Sequence, residues 1–260
     1  MRWRFHDDGR ADRSQAGGLD GEDGSQAAMR VAVISDLHAN WAALRALPGT
    51  YDAILCTGDL VDYGAQPEPV LGFVQAHAFA VVQGNHDYAV GAGADCRCSA
   101  LFKPASVGTR EVMRQVLNPA DLSFLAGLPT SARLTLGGQR IALFHATPSD
   151  PRFRYLLATA PAAEWERELE GIDADLVLLG HTHRPVVFKV GVVTVANAGS
   201  LGLPTDGDPR ASFAVIEDGE VRLQRFAYPV EDAVRTVQAA FEPTTAAFLS
   251  RVLRTGSPAA

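Results

Sequence analysis

Short apolar runs in this chain stop, again and again, at side chains able to bind a metal ion. Leu176-Val177-Leu178-Leu179 runs into Gly180-His181-Thr182-His183, and Val31-Ala32-Val33-Ile34 runs into Asp36 and His38. Ile54-Leu55-Cys56 is followed by Asp59, Ala80-Val81-Val82 by Asn85-His86-Asp87, and the run at 141–144 by His145. Runs of this length and composition read as strands buried on both faces. One pair of nearby histidines says little, since such pairs are common in ordinary loops. Ligand-type groups at the ends of several strands point to one shared site.

The intervening segments supply the helices that would cover such strands. Asn40 caps a predicted helix that runs to Leu47, where Trp41, Leu44 and Leu47 recur at helical spacing and Pro48-Gly49 ends it. A second helix is expected over 67–77, with Val70, Leu71, Phe73 and Val74 as its apolar stripe. Between 88 and 129 the pattern changes. Gly91, Gly93 and Cys96-Arg97-Cys98 suggest an irregular loop, followed by helices at 109–117 and 120–125. This region reads either as a helical insert or cap that shapes access to the site, or as crossover helices packed on the sheet. Hairpins are expected about Gly137-Gly138, Gly191 and Asp218-Gly219, with a helix at 162–170 and two more at 230–241 and 244–253. Parallel-type strands in the first half and hairpins in the second favour two mixed sheets packed together, with helices outside.

Composition narrows the class. The chain has 260 residues, 47% of them hydrophobic, enough for one large α/β domain over 29–260 with a buried sheet. With 23 basic and 30 acidic side chains the net charge is -7, so no broad positive field invites nucleic acid. No window reaches membrane-spanning length, and no membrane partner is expected. Residues 1–28 are rich in Gly, Asp, Arg and Ser and read as a disordered tail; Met29, directly before the first strand, offers an alternative start of translation. The three cysteines are Cys56, Cys96 and Cys98. Cys56 reads as a small buried hydrophobe, and Cys96/Cys98 lacks the second pair that a dedicated Cys-metal site would bring.

Asp36 and His38, two residues apart on a strand-like continuation, would point to the same side and grip one ion. The carboxylate of Asp59 can place one oxygen on each of two ions. Asn85 adds an amide oxygen, and His145, His181 and His183 add imidazole nitrogens. Mixed oxygen and nitrogen donors suit Mn, Fe, Co, Ni or Zn better than Mg. Without a cation, burying these groups together would be costly.

The motifs Ser35-Asp36-Leu37-His38, Gly58-Asp59-Leu60-Val61-Asp62, Gly84-Asn85-His86-Asp87, Phe144-His145 and Gly180-His181-Thr182-His183 resemble, in order, those of the calcineurin-like metallophosphoesterases, and in particular their small bacterial phosphodiesterase branch. The resemblance spans about 30–226. It implies an α/β (α+β) fold, a four-layer αββα sandwich of two mixed β-sheets flanked by helices. It also implies two divalent metal ions, with manganese favoured for activity. By resemblance Asp36, His38 and His183 hold the first metal and Asn85, His145 and His181 the second, with Asp59 bridging. His86 then becomes a catalytic, non-ligating histidine beside the phosphate, Asp87 its orienting partner, and Asp62 a supporting residue. Two alternatives stay open: His86 as a further ligand, and Asp62 as a loop residue satisfying backbone N–H groups. Two departures stand out. Ala39 occupies a position where relatives carry Gly, and Asn197-Ala198-Gly199-Ser200 stands for Asn-Pro-Gly-Ser.

The expected activity is hydrolysis of a small phosphodiester by water activated between the two metals, in the cytoplasm and on a nucleotide-derived substrate. A phosphomonoesterase or protein phosphatase is the alternative enzyme, and a non-catalytic scaffold of the same fold the alternative of another class. Arg152, Arg154 and Tyr155 in the loop after His145, with Arg97 and Lys103 farther off, are the candidates to recognise an anionic substrate.

Overall fold

The computed structural model describes residues 2–5, 11–14 and 29–259. In chain order its elements are β1 (Arg2–Phe5), β2 (Ala11–Ser14), β3 (Val31–Ile34), α1 (Trp41–Leu44), β4 (Thr50–Tyr51), β5 (Ala53–Cys56) and α2 (Pro67–His77). There follow β6 (Ala80–Val81), α3 (Asn85–Ala92), α4 (Lys103–Val116), α5 (Pro119–Gly127), β7 (Ser131–Leu136), β8 (Gln139–Phe144), α6 (Ala162–Glu168) and β9 (Leu176–Leu179). The chain ends with β10 (Val186–Val190), β11 (Val193–Asn197), β12 (Ala211–Glu217), β13 (Glu220–Phe226), α7 (Val230–Ala240) and α8 (Pro243–Thr255).

Two mixed five-stranded sheets face each other, in the orders β13-β12-β3-β5-β6 and β10-β11-β9-β8-β7. In the first, β3, β5 and β6 are parallel and the β12–β13 hairpin adds antiparallel strands. The other has parallel β8, β9 and β11, edged by antiparallel β7 and β10. Alternation along the strands makes the layers. Val31, Val33, Leu55, Ala214 and Ile216 meet Ile141, Leu143, Leu176 and Leu178 between the sheets. Ala32, Ile34, Ile54, Phe213 and Val215 face outward into α1, α2, α7 and α8. On the far side Phe144, Val177 and Leu179 pack on Trp165 and Leu169. Each large side chain buried in these layers contributes about 1.5–3 kcal/mol.

The loop expected after Tyr88 does not begin there. Asn85–Ala92 is a helix, started by Asp87, whose carboxylate accepts the N–H of Gly84 at 2.9 Å, and stopped by Gly93 at φ 68. Gly91 tolerates the helix because the backbone of Ala126 in α5 passes too close for any Cβ. Helices α3, α4 and α5 join one sheet to the other; α3 packs on α4 and α5, and α4 packs on α8. The tail expected over 1–28 falls mostly outside the described residues. Of it, β1 and β2 are described; they pair with each other, and β1 pairs with β4. No helix among the described residues is long and apolar enough to cross a membrane.

Candidate metal centre

The C-terminal ends of β3, β5, β6, β8 and β9 come together at one edge of the two sheets, bringing five motif loops into contact. Asp36, His38, Asp59 and His183 place ligand atoms within 4.8 Å of one another, and so do Asp59, His145 and His181, with Asp59 common to both groups. Asn85 joins the second group, its Oδ1 lying 3.0 Å from both His145 Nε2 and His181 Nδ1. All seven side chains are buried or nearly so.

The loops reach this arrangement through strained backbone. Asp36, His38, Ala39, Asp59, Asp62, Tyr63, His181 and His183 all have φ between 44° and 73°, in the left-handed region that non-glycine residues avoid. Asp36 and His38 are therefore not a strand continuation, as expected from their spacing. The strand ends at Ile34 and a turn aims both side chains at the site. Gly84 and Gly180 let the loops pass: a Cβ on Gly84 would collide with Asp59, and one on Gly180 with Ser35 and Asp36.

Tautomers show what the cluster is built to hold. His38 Nδ1 lies 3.1 Å from the carbonyl of Val61, His145 Nδ1 2.8 Å from that of Thr57, and His183 Nδ1 2.6 Å from that of Leu203. Each of these nitrogens donates, so each Nε2 turns inward, where it offers a lone pair to a cation once it carries no proton. His38 Nε2 and His183 Nε2 face each other at 3.1 Å. Asn85 donates through Nδ2 to the carbonyl of Cys96 at 2.8 Å, which leaves Oδ1 as a further inward acceptor. Burial and the charge of His183 hold His38 down to about 3, and burial and the charge of His145 do the same for His181. Imidazoles with one nitrogen turned inward, carboxylates and an amide oxygen converge here and fit divalent cations, which displace a proton held on a ligand nitrogen, and imidazoles anchored through their other nitrogen are the usual ligands.

His86 stands beside the cluster in a different state. Burial opposes its protonation, but Asp59 and a 2.7 Å hydrogen bond to Asp62 outweigh it and raise its pKa to about 10. The expected partner, Asp87, is not the one that orients it. The Asp87 carboxylate accepts the backbone N–H groups of Asp59, Leu60 and Gly84 at 2.7–2.9 Å and braces the loops. Asp62 takes the orienting place because Ser106 and Thr109 of α4 donate to it and fix it under the ring. Neither residue of α4 carries a sequence signal for this role.

A cleft of about 460 Å³ opens onto the cluster, lined by Asp59, Tyr63, His86, Cys98, Phe102 and Tyr155 among others. Tyr155 stacks on His181 with ring centroids 3.7 Å apart. The arginines expected near it are engaged elsewhere: Arg152 donates to Gln83 and lies over Tyr88, and Arg154 pairs with Glu164 and Glu168. Arg97 lies over Phe153, and Lys103 pairs with Asp95. Tyr63 and Phe102, which the sequence did not single out, wall the cleft instead. The Asn197-Ala198-Gly199-Ser200 segment ties the loops together, Asn197 donating to the Gly180 carbonyl and Ser200 to that of Asp36.

Residues 29–219 match the calcineurin-like phosphoesterase superfamily domain, and the chain belongs to that family. It is similar to a metallophosphoesterase from Sphaerobacter thermophilus, with 27% identity and a TM-score of 0.70 over 88% of this chain and 99% of that one. An uncharacterized protein of Methanocaldococcus jannaschii is 27% identical over 80% of this chain and 91% of its own length. A hypothetical protein from Pyrococcus horikoshii shares the fold, with a TM-score of 0.72 at 17% identity, over 89% of this chain and all of the other. Family and site together make this a metal-dependent phosphoesterase that binds divalent cations through clustered His and Asp residues.

Proposed function

We propose that the protein hydrolyses a small phosphodiester. Asp36, His38 and His183 would hold one divalent cation and Asn85, His145 and His181 a second, with Asp59 shared; manganese suits this donor set. When bound, the cations lower the pKa of water at the site and offset charge on the phosphoryl oxygens. The chain supplies the rest. Asp62 engages His86 at Nδ1, so Nε2 is the nitrogen that carries a proton toward the departing ester oxygen. Tyr63 packs on the rings of both His38 and His86, with centroids 4.9 and 4.7 Å away, and fixes their relative attitude. Tyr155 and Phe102 offer flat apolar faces to the alcohol portion, as a nucleotide-derived leaving group would need.

The preference for a diester rests on one observation. None of the described residues lining the cleft is Lys or Arg. A monoester dianion would call for such cations beyond the metals, whereas a singly charged diester with a bulky substituent does not. The discriminating measurement compares bis-p-nitrophenyl phosphate with p-nitrophenyl phosphate on protein loaded with manganese, zinc, cobalt or nickel. Faster turnover of the diester is expected. Turnover of the monoester alone would overturn the preference, and hydrolysis of neither by a fully loaded protein would favour a scaffold.

A further inference from the structure

Two thiols beside the cleft take no part in the centre described above. Cys96 and Cys98 lie in the segment between α3 and α4; Cys96 is buried, while Cys98 is partly exposed and lines the cleft with His86 and Phe102. Their sulfurs are 2.9 Å apart, within direct reach of one another. The turn that brings them together is specifically built. Arg97 between them has φ 54, its N–H donates to Asp95 at 2.7 Å, and its guanidinium lies 4.5 Å over the ring of Phe153. A non-glycine residue is disfavoured in that region, and these two contacts help to hold it there.

Cys96 is also tied to both halves of the site. Its carbonyl accepts from Asn85 Nδ2 at 2.8 Å and so aims Asn85 Oδ1 at His145 and His181. Its sulfur meets Ser106 Oγ at 3.1 Å, and Ser106 donates at 3.0 Å to Asp62, the residue that holds His86. Any movement of Cys96 is therefore felt by a candidate ligand and by the candidate proton donor.

We propose that Cys96 and Cys98 form a thiol switch, in which a hydroperoxide admitted by the cleft converts the pair to a disulfide and turns the site off. The pair gives up one proton; the Cys98 sulfur, which lines the cleft, then passes its hydrogen to the Cys96 sulfur 2.9 Å away as it attacks one peroxide oxygen, and the O–O bond breaks. The other oxygen leaves with the released proton as alcohol or water, and Cys98 becomes a sulfenic acid. The Cys96 sulfur then attacks Cys98, the S–O bond breaks, and the hydroxyl departs with the Cys96 proton as water. Two thiols have lost two electrons to the peroxide, and a dithiol returns them by exchange. Forming the bond draws Cys96 toward Cys98 and away from Ser106 and Asn85. The effect on turnover rests on the phosphodiesterase reading; the chemistry at sulfur does not.

The test uses the full chain, reduced and loaded with manganese, treated with hydrogen peroxide, quenched with catalase and compared with a Cys98→Ser variant. The peptide bearing both cysteines is expected to lose two hydrogens. Turnover of bis-p-nitrophenyl phosphate should fall roughly 10–100-fold, the usual cost of removing the partner of a metal ligand. Manganese retained after gel filtration should fall with it, circular dichroism should stay constant, and dithiothreitol should reverse every change. The Cys98→Ser protein, whatever its starting rate, should keep that rate and its metal through peroxide. Thiols that stay reduced, a disulfide that leaves both turnover and manganese retention unchanged, or a loss that accompanies unfolding would each overturn the switch. The two sulfurs and the His86 ring also lie within 4.8 Å of one another. Uptake of one zinc more than Cys98→Ser, protecting the pair from peroxide, would therefore reassign them to a metal site. If the reduced protein hydrolyses neither ester, the phosphodiesterase reading fails, and the switch is decided by peptide mass and manganese retention.

Discussion

His38 and His183 turn their Nε2 atoms toward each other at 3.1 Å while the Nδ1 atoms of both are engaged by backbone carbonyls. Two lone pairs at that distance repel unless a proton or a cation lies near both. Removing divalent cations with a chelator should therefore lower the melting temperature, and manganese should restore it. At a cation concentration about 100 times the dissociation constant, each site adds about 2.7 kcal/mol. A melting temperature indifferent to chelator and metal would argue against cation binding here.

Asp59 belongs to both groups of ligand atoms, with Oδ2 lying 3.2 Å from His145 Nε2 and 3.8 Å from His38 Nε2. On the proposed two-cation reading, Asp59→Asn should reduce total bound metal and turnover together. A normal metal content by elemental analysis of the purified variant, together with a normal rate, would rule out the proposed bridging role of Asp59.

The exchange of roles between Asp62 and Asp87 makes a paired prediction. His86→Gln should keep its metals and lose roughly 10²–10⁴ in rate, the range of acid–base assistance. Asp62→Asn should follow it with a loss of about 10–100-fold, as a partner that orients the ring. Asp87→Asn should instead cost about 1–3 kcal/mol of stability, because buried N–H groups of the Asp59 and Gly84 loops lose one of the two oxygens that accept them. Denaturant melts and rates measured on all three separate the roles. A rate loss in Asp87→Asn without loss of stability would reverse them.

In the metal-free protein burial works against a proton on His145, but the charge of Asp59 and its hydrogen bond prevail and raise the pKa to about 9. Since this lies above the ordinary imidazole value near 6.5, proton binding stabilises the metal-free fold in full below about pH 6.5. That contribution fades as pH rises through about 9. A cation taking the same nitrogen must expel the proton, so metal binding should strengthen as pH rises across this window and release protons near neutral pH. Calorimetric titration in buffers of different ionisation enthalpy reads that release. Identical heats in all buffers would show that His145 is already neutral or is not a ligand.

Much of the fold was legible because buried parallel strands need continuous apolar runs. Val31–Ile34, Ala53–Cys56 and Leu176–Leu179 stand out for that reason, and the pairing of two mixed sheets follows from the hairpins after them. The helix at Asn85–Ala92 was not legible. Its first turn consists of polar site residues, and the glycine inside it is demanded by the neighbouring helix rather than by any local pattern.

From the order of residues alone come the identities of the ligand-type side chains and their attachment to strand ends, since strand and loop alternate locally along the chain. Which carboxylate meets His86, which arginines are free to meet a substrate, and which aromatic rings wall the cleft were decided only by the tertiary structure. Those outcomes depend on α4 reaching across to Asp62 and on Glu164 and Glu168 claiming Arg154. Such contacts join residues far apart in sequence, and their competing partners leave no periodicity to read.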